Sequence, residues 1–237
     1  MKPFASRRIG TAHVVALSRH GGLSAPPYDT LNVAQYVGDN PENVAGNIDL
    51  VRRELDANDI AVMNAEHGTR VLVVTVGGDV APADGLMTQT PGLALLALAA
   101  DCVPVALVVT HAQRIAVFHA GWKGVLANIA HSTVEQMVAH GSHSQHITAV
   151  IGPSICHMCY EVSEERTALF EATLPEAIHD SRHLNLVAGV THSLEEYGVT
   201  VDVIPGCTLE NDDLFSYRRN PTTGRGGIAV VMSKVDP

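Results

Sequence analysis

Polar and apolar residues follow one another along this chain with two different periods. Between residues 40 and 55, Val44, Ile48, Val51 and Leu55 recur at helical spacing and make one apolar face. Asn40 stands where its side chain can accept a first-turn N–H, and Pro41 occupies a first-turn position where the absent N–H costs nothing. Residues 115–119 alternate instead, so Ile115, Val117 and His119 share one strand face that points toward an interior or a cleft. Apolar runs at 13–18, 70–76, 93–99, 105–109, 147–151 and 199–204 read as further strands. Helices are expected at 123–139, at 163–174 with Ser163 as cap, and at 186–197. Residues 21–28, rich in glycine and proline, form a loop. Consecutive strands in the middle with helices around them favour an α+β layered fold over a strictly alternating doubly wound sheet. No linker or long repeat interrupts the chain, so a single domain over 1–237 is expected.

Composition narrows the partners. A chain of 237 residues with 46% hydrophobic content can bury one sizeable core. Its formal net charge of -10 opposes a nucleic-acid partner, which needs a basic patch to neutralise phosphates. An anionic substrate must meet local positive charge, and Arg218, Arg219 and Arg225 cluster near the C-terminus to supply it. The longest apolar region, 93–109, carries Asp101 and Pro104 and falls short of the about 20 residues that span a bilayer, so no membrane partner is expected. The apolar stretch at 14–17 is too short for a signal-peptide core. Four irregularly spaced cysteines give no disulfide framework, which points to a reducing cytoplasm. Nothing in the pattern sets an oligomeric state.

The chemistry concentrates at two strand ends. Cys102 lies in the break between the runs 93–99 and 105–109, on a turn facing the site, with Pro104 expected to bar regular central-strand pairing. His119 ends the alternating run, and the small residues Ala120 and Gly121 after it let backbone or ligand approach closely. His67, in Glu66-His67-Gly68-Thr69, offers a third donor. One thiolate and two imidazoles match a catalytic zinc site, which keeps three protein ligands and leaves the fourth position open.

The blocks His67-Gly68-Thr69-Arg70-Val71, Ala83-Asp84-Gly85-Leu86, Ala100-Asp101-Cys102-Val103-Pro104 and His119-Ala120-Gly121-Trp122-Lys123-Gly124 resemble, in order, motifs of the YfiH family, also called laccase-domain or multicopper polyphenol oxidase proteins. The resemblance continues through Gly152-Pro153-Ser154-Ile155, Cys159-Tyr160-Glu161-Val162, Cys207-Thr208, Phe215-Ser216-Tyr217-Arg218-Arg219 and Thr223-Gly224-Arg225. It implies a four-layer α/β/β/α sandwich with zinc on His67, Cys102 and His119. It also implies phosphorolysis of purine nucleosides by inorganic phosphate, with adenosine deamination and methylthioadenosine phosphorolysis as companions. Two positions depart from the family pattern: Asn47-Ile48 stands where an Asn-Arg pair is usual, and His183-Leu184-Asn185-Leu186 where His-Leu-Asp-Leu is usual. If that arginine assists phosphate binding, another cation must take its place.

Other residues receive roles from the resemblance or from their own placement in the chain. Asp84 is expected as a rim carboxylate able to protonate the leaving purine, and Asp101 as an orienting partner of a metal-bound imidazole. Asn32 matches a family position that contacts ligand, and Lys123, a cation opposing the dipole at a helix start, is expected to touch substrate together with Arg219. The Cys156-His157-Met158-Cys159 pair lacks the second pair of ligands that a structural zinc site wants, so these read as loop cysteines. A copper-dependent (Cu2+) phenol oxidase is the rival enzyme, but such enzymes usually use His-x-His pairs, and none of the 13 histidines is so spaced. A non-catalytic metal-binding protein is the remaining alternative, against which the open fourth position argues.

Overall fold

The computed structural model describes residues 1–109 and 113–233. Two six-stranded mixed sheets stack on one another. The first runs β1 (Pro3–Ile9), β2 (Ala12–Leu17), β14 (Gly226–Met232), β7 (Leu93–Ala99), β3 (Asp59–Val62), β5 (Gly78–Asp79). The second runs β13 (Thr200–Val203), β10 (Ile147–Ile151), β8 (Val103–Val109), β9 (Arg114–Ala120), β6 (Gly85–Thr88), β4 (Val71–Val73). A small ribbon pairs β11 (Ile178–Asp180) with β12 (His183–Leu184). Helix α1 (Pro41–Glu54) covers the outer face of the first sheet. Helices α2 (Trp122–Leu126), α3 (Ile129–Ala139), α4 (Glu164–Thr173) and α5 (Leu186–Glu195) cover the second.

Strand alternation explains the layering. Val15, Leu17, Leu96 and Leu98 pack outward against Val51 and Leu55 beside α1. Their neighbours Val14, Ala16, Leu95 and Ala97 point inward to meet Ala106, Val108, Ile115 and Val117 of the other sheet. Leu107, Ala116 and Phe118 face out again, onto Val125, Ile129, Val134, Val190 and Leu194. Each central strand is therefore buried on both faces, and a one-residue slip in register would exchange two complete sets of core contacts. The expected four-layer α/β/β/α sandwich is the fold observed.

Local departures have local causes. The helix expected at 123–139 is two helices, because Asn128 takes a left-handed conformation (φ 58°) and its side chain accepts the His131 N–H to start α3 anew. Pro104, expected to bar regular pairing, lies inside β8 opposite His119, while pairing with β10 begins only at Val105. It occupies the end of the strand, where a missing N–H is tolerated. The strand expected at 70–76 shortens to Val71–Val73. Ser163 precedes α4 through its backbone carbonyl, without a side-chain cap bond. No helix among the described residues is long and apolar enough to cross a membrane.

The topology gathers one end of the sandwich into a site. Because β7 belongs to the first sheet and β8 to the second, residues 100–102 must cross between them. The start of β8 pairs with the end of β9, Val103 opposite Ala120, and the start of β6 pairs there too, Gly85 opposite Phe118. Cys102 and His119 therefore meet at the same rim, with Asp84 just beneath them. The sheet behind this rim depends on Gly227, whose φ of 141° and closeness to the Ala97 carbonyl leave no room for a Cβ. Gly227→Ala should cost about 3 kcal/mol of stability in urea unfolding; a cost under about 1 kcal/mol would show that the β7–β14 pairing is not so tight.

Candidate metal centre

The site is built around a buried carboxylate. Asp84 is only 1% exposed. Its Oδ1 accepts the His67 backbone N–H at 2.8 Å, and its Oδ2 accepts those of Gly68 at 2.7 Å and Glu66 at 3.2 Å. These bonds hold the 66–68 turn, in which His67 adopts a left-handed φ of 63°. Oδ1 also meets His119 Nδ1 at 3.1 Å, which leaves Nε2 of that ring turned to the open side. The backbone joins in, because the His119 N–H donates to the Asp84 carbonyl.

Three donors converge in front of this carboxylate. One ligand atom each from His67, Cys102 and His119 lies within 4.8 Å of the others. The two imidazoles meet edge to face with centroids 4.7 Å apart. Gly121 permits this approach, since a Cβ there would come within 2.5 Å of His67 Cδ2 and 3.3 Å of Cys102 Sγ. Burial pushes the Cys102 thiol up, but hydrogen bonds and charge from His119 and His67 overcome it and bring its pKa to about 6. Burial pushes His119 down, yet Asp84 and Cys102 carry it up to about 9. Asp84 is raised by burial and lowered more strongly by the His119 and backbone hydrogen bonds, ending below the usual carboxylate range. A thiolate beside imidazoles, one of them backed by a carboxylate, is a donor set that fits a metal ion.

The ligands open into a cleft of about 400 Å³ lined by Tyr36, Trp122, Tyr160 and Tyr217 and by Arg166, Arg218 and Arg225. Guanidinium and ring planes alternate around it: Arg166 lies 4.3 Å from the Trp122 ring centroid, Arg218 5.3 Å from Tyr160 and Arg225 5.5 Å from Tyr217. A wider, shallower depression of about 760 Å³ along α3, between Thr69, Glu135, Ala139 and Tyr197, is lined, among the described residues, by no candidate metal ligand beyond one carboxylate. The candidate ligand group therefore lies in the smaller cleft.

The expected residues do not all meet there. His67, Cys102 and His119 do. Asp84 lies beneath the ligands, not at the rim, with its carboxylate committed to the turn and to His119. The imidazole-orienting role expected of Asp101 falls to Asp84, while Asp101 accepts from Thr208 Oγ1 at 2.6 Å and from the Arg218 N–H at 2.7 Å. Asn32 is fully buried and bonds Ala34, Asp39 and the Arg225 N–H, so it shapes the loop beneath Arg225 and does not line the cleft. Arg219 turns away to donate to the carbonyls of Thr208, Leu209 and Asn211. Lys123 is exposed beside Trp122 and outside the lining. Ile48 packs on the outer core of the first sheet. Sequence reasoning missed Arg166, in the first turn of α4; the nearby Cys159-Tyr160-Glu161-Val162 block was the signal that could have found it. It also missed partners for Cys156 and Cys159, which Cys207 and Glu210 supply.

These charges make a testable pH dependence in metal-free protein. Cys102 is depressed, so it stays reactive as pH falls from the ordinary thiol range and loses reactivity only through about pH 6. Alkylation of Cys102, followed by peptide mass, should titrate near that value. Asp84→Asn should move it upward, because a neutral amide no longer holds His119 protonated. An ordinary thiol titration in the unaltered protein would contradict the ion-pair arrangement.

Comparison with known proteins agrees with this fold. Residues 13–233 match the family described as multi-copper polyphenol oxidoreductase laccase. A purine nucleoside phosphorylase of Streptomyces griseus is 40% identical over 227 residues, covering 91% of this chain and 92% of its own. One of Mycobacterium bovis is 37% identical over 227 residues, covering 92% and 91%. A crystal structure of a Neisseria meningitidis protein superposes with TM-score 0.87 at 29% identity, over 98% of this chain and 100% of that one. Bacillus licheniformis YfiH superposes with TM-score 0.83 at 28% identity, over 94% and 93%. With sequence match and fold both running over nearly its whole length, the chain belongs to this laccase-like YfiH family.

Proposed function

We propose that the chain is a zinc-dependent purine nucleoside phosphorylase that uses adenosine, guanosine or inosine and S-methyl-5'-thioadenosine, with adenosine deaminase as a side activity. The observation that carries the reading is the cleft itself. A Cys-His-His ligand set forms its floor, flat aromatic rings suit a purine base, and three guanidiniums suit an oxyanion. Its volume falls in the range of about 300–1,000 Å³ that small-molecule sites occupy. The names of the Streptomyces and Mycobacterium relatives support the same reaction.

In phosphorolysis a phosphate oxygen attacks C1' of the ribose, the bond from C1' to the purine nitrogen breaks, and the purine leaves with a proton. Arg166, Arg218 and Arg225 neutralise the phosphate and hold it near the sugar. Trp122 and Tyr160 hold the base, and Tyr36 and Tyr217, both more than half exposed, stand at the outer edge of the cleft. Asp84 is a positioning residue with its carboxylate committed to His119, so the proton for the leaving purine comes from a cleft water. When bound by His67, Cys102 and His119, zinc would supply Lewis acidity and lower the pKa of a coordinated water to about 7, the chemistry that deamination at C6 of adenine requires. Thiol ligands need reducing conditions, which fits a cytoplasmic location. The oxidase reading has less support, because a single Cys-His-His group without His-x-His pairs does not assemble several coppers.

Purified protein given adenosine should yield adenine and ribose 1-phosphate when phosphate is present, and inosine whether or not it is, as separated by chromatography. Arg166→Ala should raise the KM for phosphate roughly tenfold or more, about the worth of one charge-assisted hydrogen bond. Phenol oxidation that survives stringent copper addition and removal controls, with neither purine base nor inosine formed from any nucleoside, would defeat the proposal.

A further inference from the structure

A second cluster of metal-ligating groups lies behind the cleft wall. Cys156 and Cys159 sit on the loop between β10 and α4, and Cys207 and Glu210 on the loop after β13. Each loop presents its two groups with two residues between them, so the chain carries a Cys-x-x-Cys pair and a Cys-x-x-Glu pair. One ligand atom from each of the four lies within 4.8 Å of all the others.

The backbone preorganises both pairs. The N–H groups of Cys159 and Tyr160 donate to the Cys156 carbonyl at 3.0 Å, closing a turn that brings the first two sulfurs together. The Asn211 N–H donates to the Cys207 carbonyl at 3.0 Å and does the same for the second pair. The two loops are joined directly: Ser154 and Cys207 form a parallel bridge, and the Thr208 N–H donates to the Ser154 carbonyl at 3.1 Å. Amides also point at sulfur, for the Cys156 N–H donates to Cys207 Sγ at 3.4 Å, and the N–H groups of Leu209 and Glu210 favour the same thiolate. Amide donors around a sulfur stabilise the anionic form that ligates metal.

We propose that Cys156, Cys159, Cys207 and Glu210 form a closed, structural zinc site distinct from the cleft. Three thiolates select a borderline-soft ion over magnesium or calcium. Zinc at about 2.3 Å from sulfur separates tetrahedral ligands by about 3.8 Å, so only a small contraction of the existing cluster is needed. Four protein donors leave no open position, which marks a structural site and not a catalytic one. All four cysteines of the chain are free thiols. A disulfide within the cluster would use two sulfurs and leave the third, and the carboxylate beside them, without a role.

The consequence for the cleft follows from connectivity. One stapled loop carries Ile155 and Tyr160, which line the cleft. The other carries Thr208, whose hydroxyl donates to Asp101, and Asp101 in turn accepts the backbone N–H of Arg218. The ion would thus fix the wall that bears Tyr160 and Arg218 without touching substrate.

The test counts metal in the full chain, kept reduced, stripped by chelator and titrated with zinc. Two equivalents should bind to the unaltered protein, and His119→Ala and Cys156→Ser should each retain one. Cobalt(II) bound to His119→Ala should show an intense thiolate charge-transfer band, lost when Cys207→Ser is added. Glu210→Gln, at an exposed position, guards against a folding artefact and should weaken this site at least tenfold while leaving the melting temperature of the metal-free protein unchanged. A single equivalent in the unaltered protein, abolished by His119→Ala, would overturn the proposal. So would a Cys156→Ser protein that folds and still binds two, or loss of two thiols to a disulfide in air with no metal bound under reduction. Because the readout is stoichiometry and not turnover, it stands or falls separately from the phosphorylase reading.

Discussion

A carboxylate buried to 1% exposure must find partners or lose its charge, and Asp84 finds them on three sides. The 66–68 turn closes around its oxygens, and His119 donates from the cleft side. That one group therefore sets where His67 stands and which nitrogen His119 presents. It also sets the charge balance, because an imidazolium held by Asp84 in turn stabilises the Cys102 thiolate. The left-handed backbone at His67 and the bare Cα of Gly121 are the local conditions that let the three donors come so close.

The sandwich makes this rim by a crossing. Most of each sheet is an apolar slab whose register is pinned on both faces, so strand ends cannot drift. Residues 100–102 pass from one slab to the other at this edge, where β6, β8 and β9 also terminate or begin. Asp101 braces the crossing by holding Thr208 and the backbone of Arg218, which ties the C-terminal loops to the ligand loop. Arg219, turned inward onto three carbonyls, supports the same loops from beneath. Positive charge in the cleft of a strongly acidic chain thus comes from a few guanidiniums that the fold positions one by one.

Legibility in the sequence followed the range of the interaction. Helix α1 announced itself through Asn40, Pro41 and one apolar face, all local signals. The continuous run of β7 and the alternation of β9 were equally readable, and alternation alone placed His119 on the inner face. The ligand trio emerged from donor chemistry together with family motifs. By contrast, β3, β6 and β14 went unread, because short or glycine-led segments become strands only through neighbours far away in the chain. The exchange of roles between Asp84 and Asp101 was invisible for the same reason: both precede apolar strands, and only the sheet pairing shows which one lies behind an imidazole. Cys207 and Glu210 stood too far from Cys156 for spacing to join them.

Anomalous scattering at the zinc edge, from crystals of zinc-loaded protein, tests the construction of this cleft most directly. A peak bonded by His67, Cys102 and His119, with Asp84 still accepting from His119 Nδ1 and from the 66–68 amides, is the result expected of a site assembled by that carboxylate. A cleft without a peak, or an ion bound directly by Asp84 with His67 turned away, would contradict it.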